Sequence, residues 1–82
     1  MKINVKFFAS YRELIGIDKE EYYLERGDQL KLLKKKVVSA HPSLKDVKDP
    51  ILTSLNEKLI DEEEIELKDG DEVAFFPSFS GG

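Results

Sequence analysis

Only one stretch of this 82-residue chain, residues 29 to 40, repeats its apolar side chains at helical spacing over three turns. Leu30, Leu33, Val37 and Ala40 fall on one stripe, with Lys31, Lys34 and Lys35 opposite. Every other apolar run is short and strand-like. A single full helix cannot bury its stripe alone, so at this length it must cover one face of a small sheet. The expected class is therefore α+β, one domain, with a modest core that removes roughly 60 to 65% of the unfolded surface from water. Asp28 or Gln29 is the expected N-cap of the helix, and Lys36 lies toward its C-terminal end, where positive charge suits the helix dipole. His41-Pro42 ends it, because proline disfavours a helical conformation in the residue before it.

The strands follow from period-two patterning. Residues 2 to 8, KINVKFF, put Ile3, Val5 and Phe7 on one face and Lys2, Asn4 and Lys6 on the other, with Phe8 adding a large apolar group to that second face. Ser10 with Glu13 has the form of a capping box, and Gly16 suits a helix C-terminus, so a short helix is expected over residues 11 to 15. Residues 20 to 25, EEYYLE, are rich in β-formers and close on Arg26-Gly27-Asp28. Residues 43 to 50 predict a loop with room for one helical turn. ILTSL, residues 51 to 55, predicts a third strand, with Asn56-Glu57 as the turn and residues 58 to 60 as its short partner. The acidic run from Asp61 to Glu66 is too charged for a core strand, and Leu67 is the residue expected to pin it. A turn around Gly70 leads into EVAFF, residues 72 to 76, with Val73 and Phe75 on one face and Ala74 and Phe76 on the other. Pro77 should stop that strand. The predicted organisation is a domain over residues 1–76 and a flexible tail over 77–82. A small sheet with one covering helix leaves a second face, to which Phe8, Ala74, Phe76 and one of Tyr22 or Tyr23 are assigned. Three aromatics on one uncovered face suggest a partner surface.

Composition removes several classes of function. The chain has no cysteine and one histidine, which excludes a disulfide scaffold, a thiolate nucleophile and Cys- or multi-His metal centres. No apolar run approaches the ~20 residues of a membrane span and no signal peptide opens the chain, so the expected compartment is the cytoplasm. The net charge of −4 is unevenly spread. Residues 29 to 50 carry six basic and two acidic groups, whereas residues 51 to 82 carry two and nine. An acidic C-terminal third repels phosphates, which argues against nucleic acid and for a basic partner. His41 is expected to be a helix-terminus residue rather than a base. The consecutive carboxylates Asp61 to Glu64 lack the spacing of a calcium loop, so no metal is expected. The run Lys34 to Lys36 is expected to be a solvated helix face.

The last two residues, Gly81-Gly82, carry the most chemical information. Two terminal glycines arise by chance in roughly 0.5% of chains, so the pair asks for a reason. A terminal carboxylate, ionised above its pKa of roughly 3.3 to 3.7, is a poor electrophile until ATP converts it to an acyl-adenylate. The attacking group must then reach the terminal carbonyl inside another protein's cleft. Glycine has no Cβ and accepts almost any φ, so a Gly-Gly backbone can thread a narrow channel. Ordering a tail costs roughly 1 to 2 kcal/mol per residue. Burial of Phe79 in the partner, at roughly 1.5 to 3 kcal/mol, is the obvious offset.

These features together resemble the ubiquitin-like β-grasp sulfur carriers, and among them the small subunits of molybdopterin synthase. Three segments carry the resemblance: VKFFASYRELIG over residues 5–16, LKDGDEVAFFP over residues 67–77, and SGG over residues 80–82. Residues 43 to 66 match weakly. The family often has Asn-Gly after its third strand, where this chain has Asn56-Glu57, and commonly approaches its end through Pro-Pro-aliphatic, where this chain has Pro77-Ser78-Phe79. The resemblance implies a β-grasp fold with a mixed four-to-five-stranded sheet, one main helix, a short helix and a flexible Gly-Gly tail. It also implies a cycle. An adenylating enzyme related to ubiquitin-activating enzymes would use ATP to activate the Gly82 carboxylate, and sulfur transfer would give a Gly82 thiocarboxylate. The tail (Phe79, Ser80, Gly81) would insert into a large synthase subunit and donate sulfur to a cyclic pyranopterin precursor, giving the dithiolene of molybdopterin. Phe8, Phe76 and Phe79 would bind the partners. The chain would supply no catalytic side chain and hold no cofactor of its own, with neither nucleic acid nor membrane as partner. A ubiquitin-like protein modifier, a thiamine-pathway sulfur carrier and a plain β-grasp interaction domain remain the alternatives.

Overall fold

The computed structural model describes residues 1–78. In chain order they form β1 (Lys2–Phe7), α1 (Ser10–Ile15), β2 (Lys19–Tyr23), α2 (Leu30–Ala40), a 3₁₀ turn (Pro42–Asp46), β3 (Ile51–Leu55), β4 (Lys58–Ile60) and β5 (Glu72–Pro77). The five strands make one mixed sheet in the order β2-β1-β5-β3-β4. β1 runs parallel to β5 at its centre, and the other pairings are antiparallel.

The covered face carries the core. Ile3, Val5 and Phe7 of β1 and Val73 and Phe75 of β5 are all buried, and they cluster with Leu30, Leu33 and Val37 of α2. The helical stripe thus lies on the core through Leu30, Leu33 and Val37, whereas Ala40, expected on the same stripe, is exposed at the helix end. Phe7 stacks on Phe75 with ring centroids 6.2 Å apart. Tyr11 of α1 and Leu44 of the 3₁₀ turn close one end of this core, and Leu24 and Leu67 are buried with it. Leu67 pins the acidic loop as expected, and its N–H donates to the Asp28 carbonyl at 3.0 Å.

Five local expectations change. Ser10 is not an N-cap but already helical. The cap position is Ala9, at φ 53°, and no side chain caps the helix. The cause is the β1–β5 ladder, which continues to Phe8 N–H bonded to Phe75 carbonyl at 3.1 Å. The chain must turn sharply within one residue, and the Phe8 and Ala9 carbonyls accept the first helical N–H groups instead. The helix ends as anticipated on Gly16, at φ 92°, where a side chain would be strained.

At α2, Gln29 holds the cap position, but its side chain makes no capping hydrogen bond. The Asp28 carboxylate accepts the Glu25 N–H at 2.8 Å and closes the preceding turn. The orphan N–H groups of Leu30 and Lys31 donate to the Ile65 and Glu63 carbonyls, both at 2.9 Å. Backbone from the acidic loop, more than thirty residues away, therefore caps the main helix, and Lys34 pairs with Glu63 beside it.

β2 spans Lys19–Tyr23 rather than 20 to 25, although Leu24 and Met1 still exchange main-chain hydrogen bonds of 2.9 and 2.7 Å. β5 runs one residue further than expected and pairs Pro77 with Ile51, so the sheet reaches past residue 76. The helical turn after α2 also starts early, with Pro42 in its first turn, where a missing N–H costs nothing.

Candidate functional site

The strand registers define the sheet's open face, the one α2 leaves uncovered. Read across the strands, Lys19, Lys6, Ala74, Ser54 and Leu59 form one row. Glu21, Asn4 and Glu72 form the next. Tyr23 stands opposite Lys2 and Leu52 opposite Phe76. Phe8 follows β1 and continues its alternation onto this face. The open choice between Tyr22 and Tyr23 is thereby settled. Tyr23 is on the open face at 70% exposure, while Tyr22 stands beside Ile3 on the covered side and packs against the core.

The open face has two unlike halves. Over β1 and β2 it is ionic: Lys2 pairs with Glu21 at 3.4 Å and Lys6 with Glu72 at 3.2 Å. From Phe8 at the end of β1 across β5, β3 and β4 it is apolar: Phe8 is 45% exposed, Leu59 is 64% exposed, and Leu52 and Phe76 are half-buried. Ala74, the smallest of the group, is buried among them. Sequence reading missed Leu52 and Leu59, because the Leu52–Ser54 alternation acquires a face only once β3 is paired with β5. An apolar cluster rimmed by charges is the form of a protein-docking surface.

The parallel pairing of β1 and β5 fixes where this cluster lies. Both strands end together, so Phe8 and Phe76 stand at the same end of the sheet, where the chain leaves β5 at Pro77 toward its last residues. Of the sequence-derived site residues, the structure therefore brings Phe8 and Phe76 together at the exit of the tail. Phe79, Ser80, Gly81 and Gly82 lie outside the described residues.

The turn between β3 and β4 supports the apolar half. Asn56 and Glu57 both have positive φ, 50° and 71°, the geometry of a tight two-residue hairpin. Glycine is favoured at the second position, and Glu57 takes it under strain. Asn56 secures the turn against β5: its Oδ1 accepts the Glu72 N–H at 2.9 Å and its Nδ2 donates to Asp71 at 3.0 Å.

The ionisable groups outside this face have structural roles. His41 caps the C-terminus of α2, lies edge-on to Phe7, and has its Nε2 at 2.6 Å from Glu20 Oε1. Tyr22 donates its hydroxyl to the same oxygen at 2.6 Å. Burial, and then the Glu20 carboxylate, hold the Tyr22 phenol well above its ordinary pKa. Among the described residues no group of three or more His, Cys, Asp or Glu side chains is arranged to hold a metal ion, and no helix is long and apolar enough to cross a membrane.

Comparison with known proteins fits this architecture. The ThiS family model matches residues 5–82. The chain is 37% identical over 83 residues to the molybdopterin synthase sulfur carrier subunit of Chlamydomonas reinhardtii, covering the whole of both chains. It superposes with a TM-score of 0.83 on molybdopterin converting factor subunit 1 from Pyrococcus furiosus, at 30% identity, over 94% of this chain and 97% of that one. It also superposes, at 28% identity and a TM-score of 0.73 over the full length of both chains, on a structure of subunits 1 and 2 of molybdopterin-converting factor in complex, from Helicobacter pylori. The fold is the ubiquitin-like β-grasp. The chain belongs to the ThiS family, among the molybdopterin synthase sulfur carrier subunits.

Proposed function

We propose that this chain carries sulfur on its C-terminal Gly82 and donates it, as the small subunit of molybdopterin synthase, to a cyclic pyranopterin precursor. An adenylating enzyme attacks ATP with the Gly82 carboxylate, releasing pyrophosphate and leaving an acyl-adenylate. A sulfide-level sulfur displaces AMP and leaves a thiocarboxylate. The thiocarboxylate sulfur bonds to a carbon of the precursor, and water cleaves the acyl–sulfur bond, leaving the sulfur on the precursor and returning the carboxylate. None of these steps requires a side chain of this protein, which agrees with a sequence that has no cysteine and a lone histidine packed into the fold. The chain's own task is to dock and to present its end. Phe8 and Phe76 seat the domain on the large subunit and, in turn, on the adenylating enzyme. Phe79 anchors the tail, and Ser80 and Gly81 thread it.

The observation that carries this reading is the apolar half of an open sheet face standing beside the point where the chain leaves β5 for Ser-Gly-Gly. Its test is pyrophosphate exchange into ATP by the adenylating enzyme of the same organism. The full chain should support exchange, a chain lacking Gly82 should not, and Gly81→Ala should slow it while leaving the melting temperature unchanged. Equal exchange with and without Gly82 would remove the terminal carboxylate from the reaction.

A further inference from the structure

The ionic half of the open face contains a like-charge pair. Register places Lys6 directly opposite Lys19, and like charges in such a pair destabilise a sheet. Lys6 is offset by Glu72 on its other side. Lys19 has no such offset: the described residues form ion pairs at Lys2, Lys6, Lys34 and His41, and none at Lys19. Its chain neighbour Glu20 is engaged on the covered side by Tyr22 and His41. Glu21 is taken by Lys2. Across these rows Lys2, Lys6 and Lys19 meet Glu21 and Glu72. Lys6 and Lys19, with Asn4, Glu20, Glu21 and Glu72, line an open depression of about 550 Å³. The same row carries Lys6 directly beside Ala74, where the apolar half begins.

We propose that Lys6 and Lys19 receive one carboxylate, an Asp or Glu side chain of the protein that seats on the apolar half; this rests on reading that half as the docking surface. A single carboxylate placed between the two ammonium groups relieves the Lys6–Lys19 repulsion of the free chain. The position is a rim, exposed to solvent, so the pair acts on the rate and orientation of encounter more than on the lifetime of the complex. It selects among partners that present similar apolar patches: one with a lysine or arginine at this point meets two like charges.

The test is association with the large synthase subunit of the same organism, followed by stopped flow at low and high ionic strength. Lys19→Glu is compared with Lys36→Glu, which changes net charge equally on an exposed face of α2, away from the sheet. Lys19→Glu should slow association on the order of fivefold at low salt relative to Lys36→Glu, and the difference should vanish at high salt. The same variant should melt slightly higher than wild type, because the new carboxylate faces Lys6. A variant that folds better and docks more slowly is an outcome a purely structural lysine cannot give. Equal association rates for the two variants at low salt would overturn the proposal. If Phe76→Ala nonetheless abolishes binding, the docking surface stands and only the carboxylate site is refuted. If Phe76→Ala binds like wild type, the docking surface falls and the carboxylate site with it.

Discussion

Phe75 and Phe76 are neighbours in one strand and have opposite duties. Phe75 faces α2, is 2% exposed and stacks on Phe7. Phe76 faces away, is half-buried, and stands with Phe8 and Leu52 where the chain leaves the sheet. The covered face holds the domain together, whereas Phe8, Leu52, Leu59 and Phe76 of the open face do not join the core cluster of the described residues. In a chain this small, apolar area is scarce, and area left uncovered lowers the folding free energy available. That β5 commits a phenylalanine to each side is therefore the structural basis for assigning the open side to a partner.

The largest effect should come from breaking this pair one member at a time. Phe75→Ala should cost about 3 to 5 kcal/mol, enough to leave a domain of this size largely unfolded. Phe76→Ala should cost about 1 kcal/mol, because less of the ring is removed from water, yet should weaken binding to the large subunit far more than Phe75's conservative replacement by Leu. Thermal melts and a binding isotherm on the same samples separate the two. Comparable melting losses for both alanine variants would erase the distinction between the faces.

The next effect concerns the turn that keeps each leucine and isoleucine of β4 on its proper side. A one-residue slip between β3 and β4 would exchange Leu59, on the open face, with Ile60, which packs on the core. Glu57 holds the register at φ 71°, a conformation costing a non-glycine residue about 1 to 2 kcal/mol. Glu57→Gly should raise stability by about 1 kcal/mol in urea denaturation and leave partner binding unchanged. A loss of stability would mean that Glu57 contributes something beyond backbone geometry.

Smaller still is Tyr11→Phe. The Tyr11 hydroxyl is buried and has no hydrogen-bond partner among the described residues, so removing it should leave stability the same or raise it by up to about 1 kcal/mol. A clear loss would reveal a partner for that hydroxyl. The smallest effect is confined to alkaline pH. The Tyr22 phenol is raised above its ordinary value of 10.0 by burial first and by Glu20 second. A raised folded pKa means that its contribution is fully present below pH 10 and is lost as pH rises above it, because the unfolded chain releases the proton first. Melting temperature should therefore fall above about pH 10, and Tyr22→Phe should make that fall shallower. An identical slope in the variant would place the alkaline sensitivity elsewhere.

How much of this was legible in the sequence divides along the range of the forces involved. The alternation of Ile3, Val5 and Phe7, the helical stripe of α2 and the hairpin from Ile51 to Ile60 are local patterns, and the structure keeps them. The cap signatures at Ser10 and Asp28 are equally local and did not hold. In one case the β1–β5 ladder dictates where the chain turns. In the other, the carbonyls of Glu63 and Ile65 arrive from a distant loop. The same limit applies to the site. Phe8 and Phe76 follow from alternation alone, but Leu52 and Leu59 join them only through the β5–β3–β4 register, and Lys19 comes to face Lys6 only through β1–β2. The chemistry proposed for Gly81-Gly82 rests on composition and position, and both residues lie outside the described ones.

The central claim, that this chain carries sulfur on its last residue, is tested most directly by intact-mass spectrometry of the protein isolated from its own cells. The account predicts a population in which one oxygen of the Gly82 carboxylate is replaced by sulfur, and its loss on incubation with the large subunit and the pterin precursor. A terminus found only as carboxylate in cells actively making the cofactor, or joined to lysines of other proteins, would contradict it.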